Sequence, residues 1–128
     1  MSYTVLCFCR EVVAIEARSD VMQNLLLELR RGTLTLSVLS QLQEPQYGYS
    51  LLQKLAEKGI GIEQNTLYPL LRRLEQQGLL TSDWSIEESR PRRYYVLSDL
   101  GRQALRAVVD EWRHMTRLID DLLNDMEV

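Results

Sequence analysis

Leu105, Val108, Trp112, Met115, Ile119, Leu122 and Met126 recur at spacings of 3, 4, 3, 4, 3 and 4 residues. Only an α-helix turns that spacing into one continuous seam, so the chain from Ser98 onward is committed to a single long rod. Ser98 is well suited to cap it, because its hydroxyl can accept from an otherwise unpartnered N–H of the first turn. Val109, Leu118 and Leu123 widen the stripe. A stripe that wide needs a partner, and a chain of 128 residues builds only one modest core to supply it. The seam is therefore expected to serve a second copy of the chain.

The segment before this rod breaks into short elements. Leu67, Leu70, Leu71 and Leu74 sit at i, i+3, i+4 and i+7, one apolar stripe on a helix expected over Asn65–Gln77. Asn65 or Thr66 is expected to cap it, which places Pro69 in the first turn, where its missing N–H costs nothing. Gly78 ends it. A helix with Leu51, Leu52 and Leu55 precedes it, entered through Tyr47-Gly48-Tyr49 and closed by Lys58-Gly59, a basic residue before a glycine free to turn left-handed. Leu25 to Leu42 has helical periodicity, with an expected interruption at Gly32-Thr33 and a stop at Glu44-Pro45. Two runs rich in aromatic and β-branched residues, Leu80–Ile86 and Arg92–Leu97, flank the polar stretch Glu87–Pro91 and form a hairpin.

The order is helix, helix, helix, hairpin, long helix. The expected fold is mainly α with a small β-hairpin, a winged helix-turn-helix followed by a long C-terminal dimerisation helix. Residues 1–24 form an amino-terminal extension, 25–97 the winged helix-turn-helix and 98–128 the dimerisation helix.

Bulk properties exclude several classes. No apolar run approaches the roughly 18 residues of a membrane span. The amino terminus has neither a basic region nor a small-residue cleavage site, so a secretory signal is not expected and the cytoplasm is the default compartment. Cys7, Cys9 and His114 fall short of the roughly four Cys/His ligands of a structural zinc site, and no metal or cofactor is expected. The Cys7/Cys9 pair reads as a reduced pair in a terminal tail. His114 has no nucleophile or carboxylate constellation around it, and no Gly-rich phosphate loop occurs, so an enzyme is not expected.

Net charge is -3, which by itself argues against a nucleic-acid partner. The distribution reverses that argument, because residues 98–128 hold four basic and seven acidic side chains and account for the whole excess. The remaining arginines are bunched. Opposite the leucine stripe the third helix presents Asn65, Tyr68 and Arg72, flanked by Thr66, Pro69, Arg73 and Gln76, with Gln64 just before its start. Arginine donates in bidentate fashion to guanine, asparagine pairs with adenine, and Thr and Tyr hydroxyls reach phosphate. Arg90, Arg92 and Arg93 add three positive charges on the wing. Without the wing, the helix face alone is equally an ordinary solvated surface.

Gly48-Tyr49, the run Asn65-Thr66-Leu67-Tyr68-Pro69-Leu70-Leu71-Arg72-Arg73-Leu74-Glu75-Gln76-Gln77-Gly78-Leu79, and Pro91-Arg92-Arg93-Tyr94-Tyr95-Val96-Leu97-Ser98 together resemble the PadR family, the phenolic-acid-decarboxylase regulators. The resemblance covers about Leu25 to Leu123, and the single terminal helix is similar to the shorter subfamily. It implies a homodimeric, ligand-responsive repressor on a palindromic operator in double-stranded DNA. The implied DNA contacts are Tyr49, Gln64, Asn65, Thr66, Tyr68, Arg72, Arg73, Arg90, Arg92 and Arg93. It also implies an apolar pocket between subunits for a small planar hydrophobic effector. Val109, Trp112 and Thr116 would line it, with Leu26 and Thr33 of the first helix opposite. The rival reading is a winged-helix protein–protein interaction module, which suits the acidic balance but not the arginines of the wing.

Overall fold

A computed structural model describes residues 5–87 and 90–126, with side chains for residues 19–85 and 91–126. In chain order the elements are helix α1 (Val5–Ser40), strand β1 (Gln46–Tyr47), helices α2 (Gly48–Glu57) and α3 (Gln64–Gln76), strands β2 (Leu80–Glu87) and β3 (Arg90–Leu97), and helix α4 (Asp99–Asn124). The chain divides into two compact units, Met1–Leu34 and Thr35–Val128.

In the first unit α1 runs without the expected break at Gly32-Thr33. Thr33 does not cap a new helix; its Oγ1 donates to the Arg30 carbonyl one turn back, a bond that keeps threonine inside a helix. Gly32 in mid-helix costs only about 1 kcal/mol relative to alanine, too little to end the helix. Val21, Met22, Leu25, Leu27 and Leu29 are exposed along this part of α1.

The second unit is the winged helix. Its core collects Val38 and Leu39 from the end of α1, Leu42, Leu51 and Leu55 of α2, the α3 stripe Leu67, Leu70, Leu71 and Leu74, then Leu80, Tyr95 and Leu97 of the sheet and Leu105 of α4. All four leucines of the α3 stripe are buried, as their spacing requires. Gly59 and Gly78 take φ values of 86° and 80°, the left-handed conformation that closes α2 and α3.

The sheet is antiparallel in the order β1-β3-β2, with Leu80 opposite Leu97 and Glu87 opposite Arg90. Both hairpin strands thus extend into the stretch expected to be loop. The third strand, β1, pairs Gln46 with Tyr95 and Tyr47 with Tyr94, and no sequence pattern marked it. Ser98 caps α4 as expected, accepting from Gly101 N at 3.0 Å, and donates to the Gly78 carbonyl at 2.6 Å. Gly101 is required here, since a Cβ would drive into the Leu79 carbonyl oxygen.

The start of α3 differs from expectation. Its N-cap is Glu63, in extended conformation and without a side-chain capping bond, so neither Asn65 nor Thr66 caps the helix. Pro69 therefore lies inside the helix rather than in its first turn, and offers no N–H to the Asn65 carbonyl. Asn65 is exposed, which leaves that carbonyl beside solvent. Among the described residues no helix is long and apolar enough to cross a membrane.

Candidate nucleic-acid interface

With its leucines turned inward, α3 presents Gln64, Asn65, Thr66, Pro69, Arg72, Arg73 and Gln76 to solvent. The hairpin projects beside this face. Between them lies an open cleft of about 660 Å³ lined by Tyr47, Gly48, Tyr49, Tyr68, Arg72, Trp84, Pro91, Arg92, Arg93 and Tyr95. Five of the expected DNA contacts, Tyr49, Tyr68, Arg72, Arg92 and Arg93, are thus brought to one place. Gln64, Asn65, Thr66 and Arg73 stand on exposed α3 outside the cleft. The side chain of Arg90 lies outside the described residues.

Tyr68 is held by a glycine. A Cβ on Gly48 would lie 2.5 Å from Tyr68 Oη and 2.6 Å from both Cε1 and Cζ, so the ring occupies the space that any other residue would fill. The Gly48-Tyr49 pair at the start of α2 and Tyr68 on α3 are therefore one packing unit, and the first is read correctly only with the second in place.

The two wing arginines that the structure describes have different surroundings. Successive strand residues point to opposite faces of the sheet. The Arg92 guanidinium lies over the Tyr47 ring at 4.6 Å, and Tyr47 meets Tyr94 edge to face with centroids 5.6 Å apart. This stacking leaves the guanidinium edge and its charge available. On the opposite face, Arg93 Nη2 donates to Glu75 Oε1 at 2.7 Å and Arg93 Nε to Ser82 Oγ at 3.0 Å. Ser82 Oγ in turn donates to Glu75 Oε2. The charge of Arg93 is therefore already countered by a carboxylate from α3.

Glu75, Ser82, Tyr47 and Trp84 are site residues that the sequence did not point to. Trp84 is 64% exposed, facing Arg93 across the hairpin, with its ring 5.9 Å from the guanidinium. Period-2 alternation along β2 and β3 separates the two wing faces, but only the register identifies which of them meets α3.

On α4 the seam beyond Leu105 is uncovered in the single chain. Val108, Trp112, Met115, Ile119, Leu122 and Met126 are all exposed, from 41% to 68%. Of the residues assigned to an effector pocket, Trp112 is 42% exposed, Val109 is half-buried, and Thr116 Oγ1 donates to the Arg113 carbonyl. Leu26 is exposed on α1.

A helix-turn-helix, a hairpin wing and a face of arginine, asparagine and hydroxyl donors define the winged-helix class of transcriptional regulators. Comparison with known proteins makes the assignment narrower. Residues 35–107 match the transcriptional regulator PadR-like family. A PadR family transcriptional regulator from Eggerthella lenta, known from its crystal structure, is 50% identical, covering 87% of this chain and 99% of that one with a TM-score of 0.80. A PadR-like transcriptional regulator from Bacillus cereus is 26% identical over 78% of this chain and 99% of that one, with a TM-score of 0.70. Transcriptional regulator Rv3488 of Mycobacterium tuberculosis is 37% identical over 79 residues, 61% of this chain and 74% of that protein. The chain belongs to the PadR-like family and is a DNA-binding transcriptional regulator.

Proposed function

We propose that the chain acts as a homodimeric repressor on a palindromic operator, and that a small planar hydrophobic ligand releases it. The observation that carries the DNA half of this reading is the common face of α3 and the wing, where Arg72 and Arg92 border one cleft beside exposed Asn65, Thr66 and Arg73. Base-reading donors are on the helix and a positive charge is on the hairpin, the division of labour expected of helix and wing.

Two copies follow from size and from the exposed seam. One small module rarely makes enough contacts for specific binding. A heptad stripe from Val108 to Met126 left in water would be an unusual feature in a lone chain. Two copies held by α4 related by a twofold axis would read a palindrome. Trp112 interrupts the seam where leucine or isoleucine packs better, and its flat ring beside Val109 and Thr116 suits stacking on a planar ligand.

The test is a mobility shift on the DNA upstream of the protein's own gene at two salt concentrations. Binding should weaken steeply with salt as neutralised phosphates release counterions. Binding that ignores salt, or is absent on every promoter tried, would favour an interaction module instead. Titration with planar hydrophobic compounds, followed by tryptophan fluorescence against a Trp112→Phe control, tests the ligand.

A further inference from the structure

We propose that Glu75, Ser82 and Arg93 form a strut that fixes the wing relative to the recognition helix, and that Arg93 serves DNA binding through this strut rather than by touching phosphate. The inference rests on the reading of the α3–wing face as the DNA-binding surface, and adds how that surface keeps its shape.

The three side chains close a ring of hydrogen bonds in which both carboxylate oxygens of Glu75 are used. Nη2 and Nε of the guanidinium reach two different acceptors. Glu75 is on α3, Ser82 on β2 and Arg93 on β3, so the ring ties the helix to both strands. The Arg93 guanidinium also lies 5.5 Å from the Tyr95 ring and 5.9 Å from the Trp84 ring.

Position along the hairpin gives the ring its importance. On the hairpin face that meets α3, Leu80 and Leu97 are buried, and the next pair out is Ser82 with Tyr95. Beyond that come Trp84 and Arg93, and Trp84 is already largely exposed. The strut therefore sits where the apolar core ends and the hairpin leaves the body. A two-stranded hairpin is marginally stable alone, so its direction must be set by its last attachment. Glu75 lies one helical turn from Arg72, and Arg93 is the chain neighbour of Arg92. The strut thereby fixes the spacing between a base-reading arginine and a phosphate-reaching one, both of which remain outside it.

Charge makes the proposal separable from simple electrostatics. Removing the negative charge of Glu75 would strengthen binding to a polyanion if nothing else changed. If Glu75 holds the wing, its loss weakens binding instead. The experiment compares the full chain with Glu75→Gln, Arg93→Gln and the double variant on the duplex upstream of its own gene. Salt titrations are combined with hydrogen exchange of residues 80–97 in the DNA-free protein.

The expected result is that Glu75→Gln weakens binding about threefold or more and that the double variant is no weaker than the worse single one, as for residues acting as a unit. Hairpin exchange should rise in both single variants, and Arg93→Gln should leave the salt slope unchanged, whereas a lost phosphate contact lowers it by about 0.9. Tighter or equal binding by Glu75→Gln, additive losses in the double variant, or unchanged hairpin exchange would overturn the strut. If the wild-type chain shows no salt-dependent DNA binding, the functional reading fails, and the exchange measurement still decides the strut by itself.

Discussion

Replacing Gly48 by alanine tests the packing that seats Tyr68 at the edge of the cleft. The added Cβ would stand 2.5–2.6 Å from three atoms of the tyrosine ring. Ordinary carbon contacts are about 3.5–4.0 Å, so the ring must retreat by about 1 Å. Overpacking of that kind costs about 1–3 kcal/mol. Against it stands the gain of about 0.5–1 kcal/mol from alanine in place of glycine at the start of a helix. The two terms leave a net loss of about 1 kcal/mol, or a Tm lower by about 4–8 °C for a unit of this size. The ring can yield because Tyr68 is only half-buried, and its displacement from the cleft should cost DNA affinity beyond what stability explains. The decisive measurement repeats the substitution in a Tyr68→Ala background by calorimetry at fixed protein concentration. With the ring gone, Gly48→Ala should become stabilising by about 0.5–1 kcal/mol. An effect of the same sign and size in both backgrounds would show that Tyr68 does not occupy the space above Gly48.

Other perturbations separate the roles of individual groups. Gly101→Ala meets the Leu79 carbonyl oxygen, which already accepts from Ser98 N at 3.0 Å. Backbone cannot step aside as a side chain can, so this variant should lose more stability than Gly48→Ala in urea unfolding; a smaller loss would refute the argument. Arg72→Ala should relax base preference, while Arg92→Ala should weaken all duplexes alike and lower the salt slope by about 1. Uniform losses from both would mean that both contact only phosphate. Ile119→Asp puts a charge in the middle of the α4 seam and should shift sedimentation to the single-chain mass; an unchanged mass would remove α4 from the assembly.

The sequence marked the fold wherever a pattern repeated over several turns. The α3 leucines, the α4 seam and the two hairpin runs all became the elements that their periodicity implied. Local competition hid the rest. Glu63 precedes Asn65 and Thr66, two good capping residues, yet α3 starts without a side-chain cap, because backbone geometry at Glu63 and burial of the leucine stripe decide where the helix begins. Gly32-Thr33 looks like a break, but its cost of about 1 kcal/mol is small against a long continuous helix. Strand β1 has two residues, too few for any period. The candidate interface was legible in its residue types and not in their partners. Arg92 and Arg93 are adjacent and chemically identical, and the pairing of Trp84 with Arg93 is what assigns one to Glu75 and the other to Tyr47.

That division has a consequence for how the protein should respond to salt. The whole net charge of -3 is matched by the excess of acidic side chains in residues 98–128, so the winged helix itself is close to neutral and attracts DNA only through placed arginines. Arg72, Arg73 and Arg92 are available on α3 and the wing, and Arg90 begins β3 beside them. Arg93 is countered by Glu75. Two copies with four arginines each give eight neutralised phosphates, and a slope of log K against log salt of about -7. Counting Arg93 as a fifth contact would raise the slope to about -9. The acidic α4 changes this little, because counterions are released at the phosphates touched and charges beyond about 10 Å are screened at ordinary ionic strength. A slope near -9 that falls to about -7 in Arg93→Gln would show Arg93 leaving Glu75 for phosphate. A slope near -7 that Arg93→Gln leaves alone is the outcome that the geometry requires.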